Sequence, residues 1–257
     1  MFKQFKTWFL QFFISKRIPD NLWIKVVEST PVLYKLSIEE KTKLRKLTRS
    51  FLHKKIITTA LDLELTPYMK VLIAAQACLL ILNLSFDYYN GWKQIIIYPG
   101  AFKVNHEYFD SAGVLHKTDR VLSGEAWSRG PIVLSWEDVY QDVQSPTKGH
   151  NIVLHEFAHK LDMLSGSANG MPPLHVSMVR EQWTEILSST FQQLNQQLYR
   201  EGRSNINSYA ATDPAEFFSV ITEYFFTAPD VLERECPDVF QQFQDFYRQD
   251  IRARLIL

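Results

Sequence analysis

One five-residue string in the 257-residue chain has the composition and spacing of a metal site: His155-Glu156-Phe157-Ala158-His159. On an α-helix, residues four apart are offset by only about 40°, so the two imidazoles project from one face and can bind one ion. Neutral imidazole is a good ligand for Zn²⁺, and a catalytic zinc site keeps one position open for water. Glu156 would lie beside the ion, where it can take a proton from a water that attacks a carbonyl. The string therefore predicts hydrolytic metal chemistry, with two structural histidines as the alternative.

The residues after the motif exclude one class of metallopeptidase and suggest a supporting carboxylate. The metzincin pattern requires Gly at position 162 and His at position 165, where this chain has Asp162 and Ser165. A metzincin site is therefore excluded. Asp162 lies three residues past His159 on the same predicted helix face and is placed to accept a hydrogen bond from an imidazole N–H. An ordinary surface charge is the alternative for Asp162.

The third metal ligand has to come from farther along the chain. His175 lies in a predicted loop and is a weak candidate. Glu216 and Glu223 are better placed, because a spacing of seven residues puts both carboxylates on one face of a predicted helix. Asp213 and Pro214, just before Glu216, also match a capping box, which would explain Glu216 without a metal. The spacing leaves both explanations open.

The elements around these residues predict an α+β domain. Helical patterns come first, β-branched and aromatic runs bounded by Gly and Pro follow, and helical patterns resume from residue 149. The predicted helices cover residues 37–55, 66–84, 152–164, 176–200, 214–226 and 238–252, and the predicted strands cover 94–98 and 132–136, with 114–122 as a hairpin partner. We therefore expect a small mixed sheet between predominantly helical N- and C-terminal parts.

Charge and hydropathy narrow the class of function. The 28 Lys and Arg residues balance 28 Asp and Glu residues, so the overall charge gives no indication of direct nucleic-acid binding. The apolar stretch at 71–84 contains polar residues and is shorter than the roughly 20 residues that a membrane span needs. We expect a buried core helix there, no transmembrane segment and a cytoplasmic protein.

The first 30 residues form a distinct predicted segment ahead of one domain over residues 31–257. Aromatic and basic residues are interspersed in this segment: Phe2, Phe5, Trp8, Phe9, Phe12 and Phe13 with Lys3, Lys6, Lys16 and Arg17. We expect an amphipathic helix that packs on its own domain. Contact with a membrane surface or with a partner is the alternative.

Four strings in the chain resemble those of the Mlc titration factor A family, bacterial zinc-dependent peptidases of the gluzincin group. They are HEFAHKLD (155–162), SYAATDPAEFFSVITEYFF (208–226), GPIVLSW (130–136) and IIIYPGAF (95–102). The resemblance implies a zincin-like fold related to the catalytic core of anthrax lethal factor. It also implies one Zn²⁺ per chain held by His155, His159 and Glu216, with Glu156 as the catalytic base and Tyr209 assisting. We then expect Glu223, like Asp162, to support a ligand rather than to bind the ion.

The same resemblance implies a function. Members of that family show aminopeptidase activity on small substrates and bind the glucose-responsive repressor Mlc. We therefore expect a zinc metallopeptidase that cleaves peptide substrates and is linked to glucose uptake through a transcriptional repressor of the Mlc type. The alternative is a binding protein that sequesters the repressor, with peptidase activity secondary.

A tyrosine and a predicted strand could each contact the substrate. Tyr209 lies just ahead of the helix that carries Glu216, so its phenol can reach the open side of the ion and stabilise a developing oxyanion. A core tyrosine with its hydroxyl bonded to the backbone is the alternative. If the strand at 132–136 forms the sheet edge, Ile132, Val133 and Leu134 would pair with an extended substrate. An interior strand is equally consistent with the sequence.

Overall fold

The computed structural model describes residues 17–109, 115–122, 124–126 and 130–254. The helices are α1 (Asp20–Ser29), α2 (Pro31–Tyr34), α3 (Ile38–Lys54), α4 (Pro67–Leu80), α5 (Trp136–Gln144), α6 (Ile152–Asp162), α7 (Arg180–Glu201), α8 (Pro214–Thr227), α9 (Pro229–Glu235) and α10 (Pro237–Tyr247). The strands are β1 (Ile56–Thr59), β2 (Gln94–Tyr98), β3 (Phe102–Phe109), β4 (Leu115–Leu122), β5 (Gly124–Ala126) and β6 (Ile132–Ser135). Short 3-10 helices cover Phe86–Tyr89, Met163–Ser165, Ser208–Ala211 and Arg252–Arg254.

Four of the strands form one sheet in the order β1-β2-β6-β5. β1, β2 and β6 are parallel to one another, and β5 is antiparallel to β6. β3 and β4 form a separate antiparallel pair. The α+β class with a small sheet is confirmed, and the hairpin partner predicted at 114–122 is present over β4, while position 114 lies outside the described residues.

β1 and α5 are among the elements that the sequence patterns did not predict. β1 follows directly after α3 and pairs in parallel with β2. α5 begins at Trp136, where we expected the strand to continue. Ser135 ends β6, and its hydroxyl accepts the Asp138 N–H at 3.3 Å, so the chain turns into a capped helix at that point.

The strand that we expected to contact the substrate is not at the edge of the sheet. Ile132, Val133 and Leu134 pair with β2 on one side and with β5 on the other. Because both rows of backbone groups in β6 are occupied, this strand has no open edge for a substrate. The interior alternative is therefore the one that the structure shows.

The core lies between the sheet and three central helices, α4, α6 and α8. Every residue of α6 is buried, and α4 is buried from Met69 to its end. The apolar stretch at 71–84 is thus a core helix as far as Leu80, and residues 81–84, which we predicted as its end, form a turn. Within the described residues, no helix combines the length and the apolar character that crossing a membrane requires.

The N-terminal segment is described only from residue 17. Residues 1–16 lie outside the described ranges, so the expected amphipathic helix there stays a prediction. α1 follows, and its Trp23, Val26 and Val27 lie in the core together with Ile18. The division of the chain at residue 30 also stays a prediction.

Gly149 allows the chain to enter the helix of the HExxH motif, and its replacement should be costly. Its φ is +70°, and a Cβ at this position would overlap the ring of Tyr224. We expect Gly149→Ala to destabilise the fold by about 3 kcal/mol or more, because backbone strain and steric overlap add. Gly202 is a matched control, since its φ is +66° and a Cβ added there would meet no heavy atom of the described residues within 4 Å.

Gly202→Ala should cost only about 1 kcal/mol, the strain of a left-handed residue alone. The measurement is the free energy of unfolding of both variants in urea. Equal losses in the two variants would show that the ring of Tyr224 moves aside and that the close approach at Gly149 is not required.

Candidate metal centre

The N-terminus of α6 is held by three polar side chains. Asn151 is the N-cap, and its Oδ1 accepts the Leu154 N–H at 2.9 Å. Asp142 Oδ2 accepts the Ile152 N–H at 2.8 Å, and Glu223 accepts the N–H of Asn151 itself. These bonds satisfy N–H groups that a helix end otherwise leaves without partners. They fix the position of the helix that presents the two histidines.

Three potential ligand atoms converge on one point beside α6. The Nε2 atoms of His155 and His159 are 3.2 Å apart, and Glu216 Oε2 lies 3.0 Å from the first and 3.4 Å from the second. Ligands of a tetrahedral ion with bonds of about 2.0–2.1 Å are separated by about 3.3–3.4 Å. The triangle is close to this size, so two imidazoles and one carboxylate fit a zinc ion in both chemistry and spacing. Among the described residues this is the one group of three such side chains that could hold a metal.

The carboxylate of Glu216 is turned towards the histidines by the start of α8. Asp213 is the N-cap, and its Oδ1 accepts the N–H groups of Ala215 and Glu216 at 2.8 and 3.0 Å. The Glu216 side chain does not return to the backbone of Asp213, as a capping box would require. Burial raises the pKa of Glu216, but its hydrogen bonds with the two imidazoles lower it below the ordinary value overall. The structure thus favours the metal explanation over the capping box.

Glu223 lies behind His155 rather than at the convergence point. Its Oε1 is 2.8 Å from His155 Nδ1, on the side of the ring opposite to Glu216. A carboxylate in this position holds the Nδ1 proton and leaves Nε2 as the atom that can bind an ion. Glu216 and Glu223 therefore occupy different places around His155.

The residues that hold Glu223 were not predicted from the sequence. The Oε2 atom of Glu223 accepts the Asn151 N–H and lies 3.4 Å from His150 Nδ1, and His150 Nε2 lies 3.5 Å from Asp142 Oδ1. Asn151 was detectable, because an Asn directly before a helical apolar run is a typical N-cap. No sequence signal indicated His150 or Asp142, since their contacts depend on how α5 and α8 pack beside the motif.

The hydrogen bond that we predicted from an imidazole to Asp162 is not formed in the described part of the chain. Asp162 Oδ2 instead accepts the N–H groups of Asn169 and Gly170 at 2.8 and 2.7 Å. Its carboxylate therefore anchors the loop after α6. His175 is also elsewhere, since its Nε2 bonds the Phe246 carbonyl at 2.8 Å.

Glu156 lies beside the convergence point without belonging to it. The side chain is buried, and its Oε2 has no hydrogen-bond partner in the part of the chain that the structure describes. Burial raises the pKa of Glu156 to about 7. A buried carboxyl group with a pKa near neutrality is suited to exchange protons with a reacting water.

Tyr209 lies on the open side of the cluster, in the 3-10 helix at Ser208–Ala211. Its ring centroid is 6.0 Å from that of His155, and nearly half of the side chain is exposed. A tyrosine buried in the core, which was the alternative, is thus excluded. Burial of the hydroxyl and the negative charge of Glu216 raise the pKa of Tyr209, so the phenol keeps its proton and can donate a hydrogen bond.

The amino-acid sequence matches the family described as glucose-regulated metallo-peptidase M90 over residues 5–248. The chain belongs to this M90 family. Three relatives, each named Mlc titration factor A, come from Pectobacterium atrosepticum, Klebsiella pneumoniae and Salmonella arizonae and are 40%, 39% and 36% identical to it. The alignments cover 88%, 87% and 92% of this chain and 86%, 84% and 94% of the relatives. Membership of the M90 family implies a metal ion, for which the cluster of His155, His159 and Glu216 provides ligands.

Proposed function

We propose that this M90 chain is a zinc-dependent metallopeptidase with a zincin-like fold, which binds one Zn²⁺ through His155, His159 and Glu216. The observation that carries the proposal is the triangle of two Nε2 atoms and one carboxylate oxygen with sides of 3.0, 3.2 and 3.4 Å. Two imidazoles and one carboxylate are the ligand set of known catalytic zinc sites in peptidases. Metal analysis of the purified protein, together with a panel of aminoacyl and blocked-peptide substrates, tests the proposal.

The side chains around the cluster divide the work of peptide hydrolysis. A bound zinc ion would polarise the scissile carbonyl and lower the pKa of water. Glu156 takes a proton from the attacking water and passes it to the leaving amine. Glu223 keeps the imidazole of His155 in the orientation that its 2.8 Å contact defines. Tyr209 donates a hydrogen bond to the oxygen on which negative charge develops and keeps its proton.

The substrate of the proposed reaction is a peptide, and the resemblance to the Mlc titration factor A family favours aminopeptidase-like cleavage. An extended peptide needs a strand with an open row of backbone groups, which β6 lacks. β5 is the outer strand of the described sheet on that side and packs against α6. We therefore assign to β5 the substrate contact first expected for Ile132, Val133 and Leu134.

Tyr209→Phe should lower kcat about ten- to a thousandfold with little change in KM, because the variant keeps the ring and loses one oxyanion donor. Zinc content should stay at the level of the unchanged protein, since Tyr209 is not a proposed ligand. Steady-state kinetics with metal analysis on the same samples measure both. Full activity in Tyr209→Phe would assign oxyanion stabilisation to another donor.

A second candidate function comes from the name that the relatives carry. Mlc titration factor A describes a protein that titrates Mlc, so we propose a transcriptional repressor of the Mlc type as a partner of this chain, which places it in the cytoplasm. If repressor binding is the main function, peptidase activity is secondary. Glu156→Gln separates the two functions: hydrolysis is lost in either case, whereas binding of a purified repressor of this type survives only if it does not require catalysis.

A further inference from the structure

The hydroxyl group of Tyr224 joins α8 to the chain segment that leads to Tyr209. It accepts the backbone N–H of Asn207 at 3.0 Å and donates to the carbonyl of Asn205 at 3.0 Å. Asn207 is the N-cap of the 3-10 helix at Ser208–Ala211, and its Oδ1 accepts the N–H of Tyr209 at 3.0 Å. Two consecutive hydrogen bonds through Asn207 therefore connect the Tyr224 hydroxyl to the backbone of Tyr209.

The ring of Tyr224 is itself fixed by its surroundings. The residue is 6% exposed, and its ring occupies the space that a Cβ on Gly149 would need. Thr227, also on α8, accepts the Gly149 N–H through its Oγ1 at 2.9 Å. The ring thus packs between α8 and the chain that enters α6. Because the interior is close-packed, the position of the hydroxyl follows from the position of the ring.

The 3-10 helix that carries Tyr209 is a short element at the surface. It is a turn of four residues, in which the Ala210 N–H bonds the Asn207 carbonyl at 3.0 Å. Ala210 is buried, whereas Asn207, Ser208 and Tyr209 are exposed. A single exposed turn has little stability of its own. The place of the Tyr209 phenol therefore depends on what holds the backbone of this turn.

The role proposed for Tyr209 makes strict demands on that place. A donor stabilises an oxyanion when it lies about 2.7–3.1 Å from the oxygen. A displacement of about 1 Å is enough to cost about 100-fold in rate. α8 also carries Glu216, the proposed third ligand. A bond from Tyr224 to the turn of Tyr209 thus refers the phenol and the ligand to the same helix.

We propose that Tyr224 is a positioning residue, which holds the phenol of Tyr209 on the open side of the metal cluster through its bonds to Asn205 and Asn207. The inference rests on the proposed function, because it takes from it the role of Tyr209 as oxyanion donor. Tyr224 acts through the backbone of the turn and is assigned no contact with the reacting atoms.

The test is a double-mutant cycle between Tyr224→Phe and Tyr209→Phe, with kcat, KM and zinc content measured for each protein. Tyr224→Phe keeps the ring beside Gly149 and removes only the hydroxyl. We expect it to lower kcat about tenfold, less than a full 1 Å displacement would cost, and to leave KM and zinc content unchanged. In the Tyr209→Phe background no phenolic donor is left to position, so the same change should alter kcat by less than about twofold.

Tyr247→Phe is the matched control, since it also removes a tyrosine hydroxyl that contacts α8. This hydroxyl lies 2.8 Å from Thr222 Oγ1, in the core. Its removal should leave kcat within about twofold of the unchanged protein. Asn207→Ala is a second variant, which breaks the same connection without altering α8. It should reproduce the tenfold loss of kcat, and it decides the question alone if Tyr224→Phe does not fold.

Three results would overturn the proposal while the proposed function stands. They are full activity of folded Tyr224→Phe, an equal loss of kcat from Tyr224→Phe in both backgrounds, and a loss in Tyr247→Phe as large as that in Tyr224→Phe. A loss of zinc from Tyr224→Phe would likewise assign its effect to the metal cluster and overturn the proposal. Failure of the proposed function is distinct, because Tyr209→Phe itself would then be fully active, and the positioning role would be overturned with it.

Discussion

Replacing Glu156 with Gln is expected to lower turnover by a factor of about 100 to 10,000, the range that a positioned general base supplies. Gln keeps the size of the side chain and cannot accept the proton of the attacking water. Glu156 is buried next to His155 and His159 but is not part of the triangle of ligand atoms. Zinc content and thermal stability should therefore stay close to those of the unchanged protein.

The measurement is kcat on an aminoacyl or peptide substrate, with zinc stoichiometry determined on the same preparation. Glu156→Asp is a useful companion, because it keeps a carboxylate and withdraws it by one methylene group. We expect it to retain more activity than the Gln variant. Loss of zinc from Glu156→Gln would instead make this residue a ligand, and unchanged turnover would remove it from the catalytic step.

Glu216→Ala is expected to leave the protein almost without zinc after dialysis, and therefore without activity. The change removes one of the three proposed ligands and leaves two imidazoles, whereas a catalytic zinc site with an open position for water uses three protein ligands. Glu223→Ala should weaken zinc binding only about 10- to 100-fold, because Glu223 contacts His155 Nδ1 and is not one of the proposed ligands.

The two variants are compared by titration of zinc against a competing chelator, which reports affinity without reference to activity. Both glutamates lie on α8, seven residues apart. A loss of zinc that comes only from disturbing this helix should therefore appear in both variants. Glu216→Ala should lose more zinc affinity than Glu223→Ala. If Glu223→Ala loses zinc more completely, the two roles are reversed.

The HExxH motif made the juxtaposition of two imidazoles predictable from the sequence. Two imidazoles four residues apart on a helix share a face wherever that helix lies, so the pairing of His155 with His159 needed no tertiary information. The spacing of Glu216 and Glu223 did not distinguish the two carboxylates, and only the family resemblance pointed to Glu216. Both lie on the same face of α8, and only the way this helix crosses α6 decides which carboxylate meets the two Nε2 atoms and which lies behind the ring.

Backbone groups contact two of the elements for which the sequence patterns predicted other partners. The N–H groups of Asn169 and Gly170 bond Asp162 Oδ2, while Asp162 Oδ1 and His159 Nδ1 have no hydrogen-bond partner among the described residues, so the loop after α6 holds this carboxylate and no imidazole does. In the same way β5 takes the edge of β6 that a substrate would need. Such partners come from loops and short strands whose positions local sequence patterns do not indicate.

The central claim is that His155, His159 and Glu216 together hold one zinc ion. The most direct test is anomalous X-ray scattering at the zinc absorption edge, from crystals of protein purified without chelators. We expect one strong peak per chain, in contact with His155 Nε2, His159 Nε2 and Glu216 Oε2, and its absence in crystals of Glu216→Ala. A zinc peak at other side chains, or none at these three after soaking with zinc, would contradict the claim.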